Sequence, residues 1–306
     1  MCDDQVVDDG MKKFFFVEYL IEKYMVNDEL PSYFYHYTSV AGFESILQLD
    51  KDNKADNIIL WASRYDCMND TTEGNFVNVV YRSACDELLS EKQLSREQYN
   101  LIIDLKQKNS SLIRYFEDSA KNSDDVANAQ LSELDEKYKI YERFYSSECD
   151  RYICCFSKNG DSLPMWNYYN KGDKYEGYNI VFDSANFEAS INQLCCKSVY
   201  FRYFEVVYNE TEQKRIIKGF VSELLNKYYS QDPQFVKDMI SDQLFDWSLM
   251  FKNDCFKHEE EARLVIHLPI QQPKKGKVLH DFVIKHRFTQ GLVIPYIELS
   301  LNKNCV

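Results

Sequence analysis

The sequence predicts an α+β protein with a mixed or split β-sheet core, flanking helices and a helical insertion. Three observations support this prediction. Strand-like alternation occurs at both ends of the chain, segments with helical spacing lie between them, and glycine and proline are scarce, at 9 and 6 of 306 residues. So few turn-forming residues argue against a barrel or sandwich of many short strands. We expect a single α+β domain over residues 1–306.

The N-terminal part alternates between helical and extended patterns. The predicted elements are a helix over 11–27, a strand over 32–37, a helix over 40–49 and a strand over 58–63. Thr38 or Ser39 offers an N-cap for the second helix. From Asn75 to Asn159 there is no glycine or proline, and apolar residues recur at helical spacing. Residues 86–150 are therefore predicted to form a helical insertion or cap.

Strand patterns resume after the insertion. The predicted elements are strands over 151–157, 178–183 and 199–207, helices over 212–229 and 233–252, and strands over 262–268, 281–285 and 290–294. The second of these helices follows Asp232, and Pro233 suits its first turn. Sheet segments on both sides of helices favour one sheet-based domain interrupted by helices.

Composition narrows the class of function and the compartment. A net charge of −13 argues against a general nucleic-acid binder, because phosphate neutralisation needs a basic surface. The N-terminus lacks the basic region of a signal peptide, and no apolar run is long enough to span a membrane. The ten cysteines contain no C-x-x-C pair, so we expect free thiols in a cytoplasmic protein.

The first candidate site is His36-Tyr37-Thr38, at the end of a predicted strand. In a strand His36 and Thr38 face one way and Tyr37 the other. A histidine there can donate a hydrogen bond to a sugar hydroxyl or a phosphate. The alternative is a histidine that is hydrogen-bonded in the core.

A loop after the second predicted strand carries Asp66, Asn69, Asp70 and Glu73. Oxygen ligands at this density could hold a divalent metal. Acidic side chains also suit the N-terminus of the helix that follows. Capping is the favoured interpretation, and no metal is predicted.

Two later segments carry the remaining candidates. Ser157 is followed by Trp166 and Tyr169, and such aromatic side chains can stack a base or a nicotinamide ring, although they also pack in cores. In an extended segment Glu259, Glu261 and Arg263 lie on one face. A glutamate beside an arginine stays ionised and can stabilise a sugar that becomes positively charged, while a surface array of salt bridges is the alternative.

Taken in order, these motifs resemble those of a large family of uncharacterised bacterial proteins. The matching motifs are Tyr35-His36-Tyr37-Thr38, Leu60-Trp61-Ala62-Ser63, Asn69-Asp70 with Glu73, Cys155-Phe156-Ser157, Met165-Trp166 and Glu259-x-Glu261-x-Arg263. They cover most of residues 33–268 outside the insertion. Some relatives are linked to abortive phage infection, so the resemblance implies a role in phage defence.

The order of these motifs is also remotely similar to that of ADP-ribosyltransferases. Those enzymes carry a His or Arg on the first core strand and a Glu on a late strand. The similarity implies a related fold and NAD as substrate, with His36 at the first position and Glu261 at the last. Glu259 completes a Glu-x-Glu pair, and the middle position is Ser63 or Ser157. The implied NAD-binding residues are His36, Tyr37, Thr38, Ser63, Ser157, Trp166, Tyr169 and Arg263.

The leading hypothesis is therefore an NAD-dependent ADP-ribosyltransferase with a macromolecular acceptor. Glu261 would stabilise the transition state and His36 would position the NAD, so both must face one cleft. One alternative is a metal-dependent phosphodiesterase or nuclease that uses His36, Asp66, Asp70 and Glu73. The other is a non-catalytic sensor or interaction protein of a defence system, whose acidic helices bind a partner and in which no nucleotide or small-molecule ligand lies near His36.

Overall fold

The computed structural model describes residues 9–24, 30–49, 56–67, 73–107, 149–169, 176–194, 199–269, 281–289 and 291–306. The chain divides into two compact units, each built from three separate segments. Unit 1 contains the described residues within Met1–Val26, Gly74–Glu148 and Asn209–Phe251. Unit 2 contains those within Asn27–Glu73, Cys149–Tyr208 and Lys252–Val306. No helix in these ranges is long and apolar enough to cross a membrane.

Helices and strands alternate irregularly along the described residues. The helices are α1 (Asp9–Tyr24), α2 (Val40–Leu47), α3 (Glu73–Ser90), α4 (Arg96–Ile102), α5 (Leu163–Tyr169), α6 (Ser184–Leu194), α7 (Glu210–Tyr228) and α8 (Pro233–Met250). The strands are β1 (Tyr33–Ser39), β2 (Asn57–Arg64), β3 (Cys149–Ser157), β4 (Gly177–Asp183), β5 (Tyr200–Glu205), β6 (Glu261–Pro269), β7 (Lys285–Thr289) and β8 (Leu292–Asn302).

The described part of unit 1 is helical, and it is centred on α7 and α8. The Asn209 side chain caps α7, and Asp232 caps α8 ahead of Pro233. Trp247 of α8 is fully buried, with its ring centroid 5.6 Å from that of Phe220 on α7. The two helices therefore share an aromatic core inside this unit.

Unit 2 contains all eight described strands in one curled antiparallel sheet. The strand order is β4-β1-β3-β2-β8-β7, and β6 pairs with both β3 and β5. β3 is the branching strand, because β6 occupies one of its edges from Cys149 to Ser157. Its other edge pairs with β2 at Tyr152 and Ile153 and with β1 at Ser157.

The α+β class is confirmed by this arrangement of helices and sheet. Every pair among the described strands is antiparallel, so the parallel pairs of a mixed sheet are not found in this part of the chain. The sheet is split at β3, because β1 and β2 share one edge of this strand. No similarity of this sheet to the ADP-ribosyltransferase fold is shown.

One face of the sheet, which we call the core face, packs on α2 and α6. Phe34 of β1 lies at the centre of an aromatic cluster on this face. Its ring centroid is 5.4 Å from that of Phe182, 4.8 Å from that of Phe156 and 4.8 Å from that of Phe187 on α6. All four rings are buried, so this face supplies the main core of unit 2.

Most predicted elements agree with the structure to within a few residues at each end, but three details differ. Helix α6 was not among the predictions. The last two strands lie further along the chain than expected, at Lys285–Thr289 and Leu292–Asn302. Of the predicted insertion, α4 and the end of α3 are helical, while residues 108–148 lie outside the described residues.

Candidate functional site

The register of β1, β3 and β6 decides which predicted site residues share a face. Directly opposed residues in antiparallel strands project their side chains to the same side of the sheet. Ser157 of β3 is opposite both Tyr35 and Glu261. These three residues therefore lie on the face opposite to the core face, which we call the Glu261 face. By strand alternation Tyr37 belongs to it as well.

Glu261 lies in a buried cluster of two carboxylates and two cations. Arg263 donates from Nε to Oε1 of Glu261 at 2.8 Å and from Nη2 to Oε2 at 2.9 Å. Lys252 Nζ lies 3.1 Å from the same Oε2 and 2.6 Å from Oε2 of Glu259. Glu261 is 6% exposed and Arg263 is 2% exposed. These four residues, which we call the ion quartet, balance their formal charges.

The ion quartet keeps Glu261 ionised. Burial alone would raise the pKa of this carboxyl, but the charges and hydrogen bonds of Arg263 and the charge of Lys252 outweigh burial and hold its pKa at about 2. The carboxylate is therefore charged at any physiological pH. Its negative charge is also largely compensated, because both of its oxygens already contact cations.

The backbone on both sides of Glu261 is held by short-range hydrogen bonds. Glu260 has a left-handed conformation with φ of 42°, and it ends the 3-10 helix Asp254–Glu259 directly before β6. Ser157 Oγ donates to the carbonyl of Glu259 at 2.7 Å. The amide of Glu261 donates to the hydroxyl of Tyr208 at 2.9 Å. The turn therefore directs both Glu259 and Glu261 onto Lys252.

Aromatic residues of α5 stand over the same end of the sheet. The ring of Tyr37 contacts those of Trp166 and Tyr169, at centroid distances of 5.0 and 6.5 Å. The hydroxyl of Tyr37 donates to the carbonyl of Asn159 and accepts from the amide of Ser162. With 2% of its surface exposed, Tyr37 supports the α5 rings rather than offering a face to a ligand.

Tyr169 is a second tyrosine near the carboxylates, besides Tyr208. With 39% of its surface exposed, Tyr169 is partly open to solvent. Burial at the hydroxyl end raises the pKa of Tyr169, and the nearby Cys155, Glu261 and Glu259 raise it further. A partly exposed tyrosine near the ion quartet offers a surface on which a flat ligand ring can stack.

His36 lies on the core face, with Phe34. Its Nδ1 is 3.1 Å from the carbonyl oxygen of Cys155, which can only accept, so Nδ1 carries the proton. Burial lowers the pKa of His36, and this hydrogen bond only partly opposes the shift. The ring is therefore neutral at pH 7. Its centroid is 5.7 Å from that of Phe156, which lies on the same core face.

The sheet separates His36 from Glu261. A ligand that touches the carboxylate on one face would have to cross the sheet to reach the imidazole on the other. The arrangement that the leading hypothesis requires, with both side chains facing one cleft, is therefore not supported by the register. Thr38 shares the face of His36 and is largely buried, where its Oγ1 packs against Gly42 of α2.

Ser157 and Ser63 were both candidates for the middle position. Ser63 is opposite Ile153, four residues along β3 from Ser157, which corresponds to about 13 Å of strand. Its hydroxyl accepts a hydrogen bond from Arg287 at 2.9 Å. Ser157 is directly opposite Glu261, so the structure brings Ser157, and not Ser63, to the carboxylates.

The acidic loop of the metal-dependent alternative is only partly described. Both carboxylate oxygens of Asp66 accept hydrogen bonds from Arg64, at 2.7 and 3.1 Å. Asn69, Asp70 and the side chain of Glu73 lie outside the described residues. Within the described ranges, no group of three or more His, Cys, Asp and Glu side chains could hold a metal ion. The metal-dependent alternative therefore stays an untested prediction.

Two residues of this site, Lys252 and Tyr208, were not among the candidates from the sequence. Lys252 follows the apolar end of α8, and a lysine directly after a buried helix is a signal for a paired, buried cation. The sequence around Tyr208 gives no comparable signal, because its hydroxyl accepts a hydrogen bond from the amide of Glu261, which is far away in the chain.

Comparison with known proteins yields one finding, and it concerns the segment that contains most of this site. No curated protein matches the chain. No solved structure matches it either. The part of the chain that begins at Met165, in α5, and ends at Leu264, in β6, includes Tyr169 and the whole ion quartet. Residues 165–264 match the family described as protein of unknown function (DUF2971).

Proposed function

We propose that the Glu261 face binds NAD and that the protein transfers ADP-ribose from it to an acceptor. The observation that carries this proposal is the pairing of Ser157 with an ionised Glu261 on adjacent strands, with the partly exposed Tyr169 near them. The motif resemblance to ADP-ribosyltransferases supplies the reaction class, and a fold-level analogy alone would be a weak argument for it.

The chemistry follows from the charge that develops on the sugar. When the bond between ribose and nicotinamide breaks, its electron pair leaves with the ring, nicotinamide departs neutral, and the ribose becomes positively charged. A nearby carboxylate stabilises that charge electrostatically. A hydroxyl of the acceptor then bonds to the ribose carbon and releases its proton. In this scheme Glu261 is the stabilising carboxylate, Glu259 is its neighbour, and Tyr169 stacks the nicotinamide ring.

The register rules out the mechanism in which His36 and Glu261 face one cleft, so the proposal gives up His36 as an NAD-binding residue. Because it lies on the core face, it does not contact the NAD. Its ring instead satisfies the Cys155 carbonyl where β1 and β3 separate, and so it keeps Tyr35 opposite Ser157. His36 is therefore a positioning residue for the strand end.

The test is release of nicotinamide from NAD by the purified chain, measured by liquid chromatography. We expect Glu261→Gln to lower the rate by at least about 100-fold, since the charge that stabilises the transition state is removed. Glu260→Gln is the matched control. Glu260 is exposed, adjacent in sequence and bonded to Asn159, and its change should leave the rate within about twofold. Circular dichroism must show that both variants are folded.

Two results would overturn the proposal. One is a Glu261→Gln variant that is folded and as active as the wild type. The other is a wild-type chain that neither binds NAD in calorimetry nor releases nicotinamide with cell extract as a source of acceptors. Plaque assays on bacteria that express the wild type or Glu261→Gln would test the role in phage defence, which rests on the family resemblance alone.

The charge balance of the ion quartet favours a second candidate function. In this second function the carboxylate of Glu261, whose two oxygens are bonded to Arg263 and Lys252, fixes the strand end. The protein would then be a non-catalytic interaction or sensor protein. That function predicts a wild type without NAD turnover, together with a Glu261→Gln variant that is less stable.

A further inference from the structure

The edge strand β7 has exposed side chains and a strand neighbour on one side only among the described residues. Within the described residues its strand neighbour is β8 alone, and it ends the strand order of the sheet. Phe288, the fourth of its five residues, is 82% exposed, and Leu292 and Val293 of β8 are 64% and 50% exposed. A strand edge of this kind is a template for pairing with another extended segment.

The two faces of β7 differ in chemistry. Phe288 is opposite Val293, so the two form an apolar pair on the side of the sheet that carries the core face. Lys285 and Arg287 lie on the other side, where the Lys285 ammonium is 2.6 Å from the Glu298 carboxylate and the Arg287 guanidinium lies over the Trp61 ring. His286, opposite Pro295, also lies on the side of Phe288. One side of β7 is therefore apolar around Phe288, and the other is basic.

The side chains of β8, the present neighbour of β7, indicate which residues a second neighbouring strand needs. β8 places apolar Val293 beside Phe288 and acidic Glu298 beside Lys285. A strand on the other edge of β7 meets the same two faces, so apolar and acidic residues must alternate along it. Pairing with a second β7 in an antiparallel two-fold arrangement is disfavoured, because it brings the basic side chains of the two copies together.

We propose that the edge of β7 without a strand neighbour among the described residues, which we call the free edge, binds an extended segment of a partner protein in which acidic and apolar residues alternate. The segment adds a strand to the sheet of unit 2. Its acidic side chains pair with the basic face around Lys285, and its apolar side chains cover Phe288. This interaction is separate from the Glu261 site, and its test does not depend on any reaction.

The probe is a fluorescein-labelled peptide with the core Val-Glu-Val-Glu-Val, titrated with the full chain while fluorescence anisotropy is measured. Two control peptides change one feature each. The first carries N-methyl groups on alternate residues, which removes strand pairing and keeps the side chains. The second replaces both glutamates by lysine. We expect each control to bind at least about tenfold more weakly.

Variants of the chain locate the binding surface. Phe288→Ser removes the apolar contact at little cost to folding, because this side chain is almost fully exposed. Lys285→Glu reverses the charge on the basic face, and Lys303→Glu, an exposed lysine at the C-terminus, is the matched control. The first two should weaken binding by at least about fivefold, and the control should leave it unchanged.

Any of five results would overturn the proposal. The first is a peptide that does not bind when the chain is present at about 1 mM, a concentration that detects even a weak complex. The others are equal binding of the N-methylated peptide, equal binding of the lysine peptide, and no effect of Phe288→Ser and Lys285→Glu. A chain that sediments as a dimer through Phe288 would identify a second copy as the occupant, and this would also refute the proposal.

Discussion

The ion quartet makes a quantitative prediction about stability. The folded-state pKa of Glu261 is about 2, against an ordinary value of 4.5. Its carboxylate thus binds protons less readily in the folded chain than in the unfolded chain. The stability that it contributes is fully present above pH 4.5 and is lost as the pH falls toward 2.

The size of this contribution follows from the pKa difference. At 1.36 kcal/mol for each pKa unit, the ionised carboxylate contributes about 3 kcal/mol to the free energy of unfolding at pH 7. By the same relation about 1 kcal/mol of this remains at pH 3. Glu261→Gln should therefore be about 3 kcal/mol less stable than the wild type at pH 7, and the gap should narrow to about 1 kcal/mol at pH 3.

Urea denaturation followed by circular dichroism at pH 7, 5 and 3 measures this gap. Glu260→Gln, on an exposed neighbour outside the ion quartet, should differ from the wild type by less than about 0.5 kcal/mol at each pH. A gap for Glu261→Gln that is below about 1 kcal/mol at pH 7, or that does not change with pH, would refute the pairing with Arg263 and Lys252.

Three other features give predictions about packing and protonation. Phe34→Ala removes the centre of the aromatic cluster and should lower the free energy of unfolding by about 3–5 kcal/mol, measured by urea denaturation. Gly219→Ala should lower the melting temperature, since its Cβ would lie 2.2 Å from Cε1 of Tyr24, and Tyr24→Ala should remove most of that penalty. His36 should titrate below its ordinary pKa of 6.5 in an NMR experiment on the imidazole nitrogens, with the proton of the neutral ring on Nδ1. Because the folded pKa is lowered, the stability contributed by His36 is present above pH 6.5 and decreases as the pH falls below it; a midpoint above 6.5 would contradict its burial.

Local sequence patterns predicted the elements well, because alternation and capping are local properties. The strand expected over 32–37 is observed as Tyr33–Ser39, and Ser39 caps the helix that follows, one of the two residues proposed. Helix α6 was missed, although Asp183 accepts from the amide of Asn186 at its start and its apolar residues have helical spacing. That signal was present in the sequence.

The register of the sheet could not be predicted in the same way. Which face a side chain occupies in its own strand follows from alternation, and His36 and Tyr37 were correctly expected on opposite sides. How β1 aligns with β3, and β3 with β6, depends on contacts between segments more than 100 residues apart. A shift of one residue exchanges the two faces, so the relation of His36 to Glu261 required the structure.

The branching of β3 also affects how the chain is made. The synthesis of β1 and β2 is complete at residue 64, but the strand that joins them begins only at Cys149. At roughly 5–20 residues per second, the two strands wait for several seconds before their common partner is synthesised. During that interval the apolar side chains of β1 and β2, Phe34 among them, lack the core that later covers them. The nascent chain is therefore expected to need its chaperones most between the synthesis of β2 and that of β3.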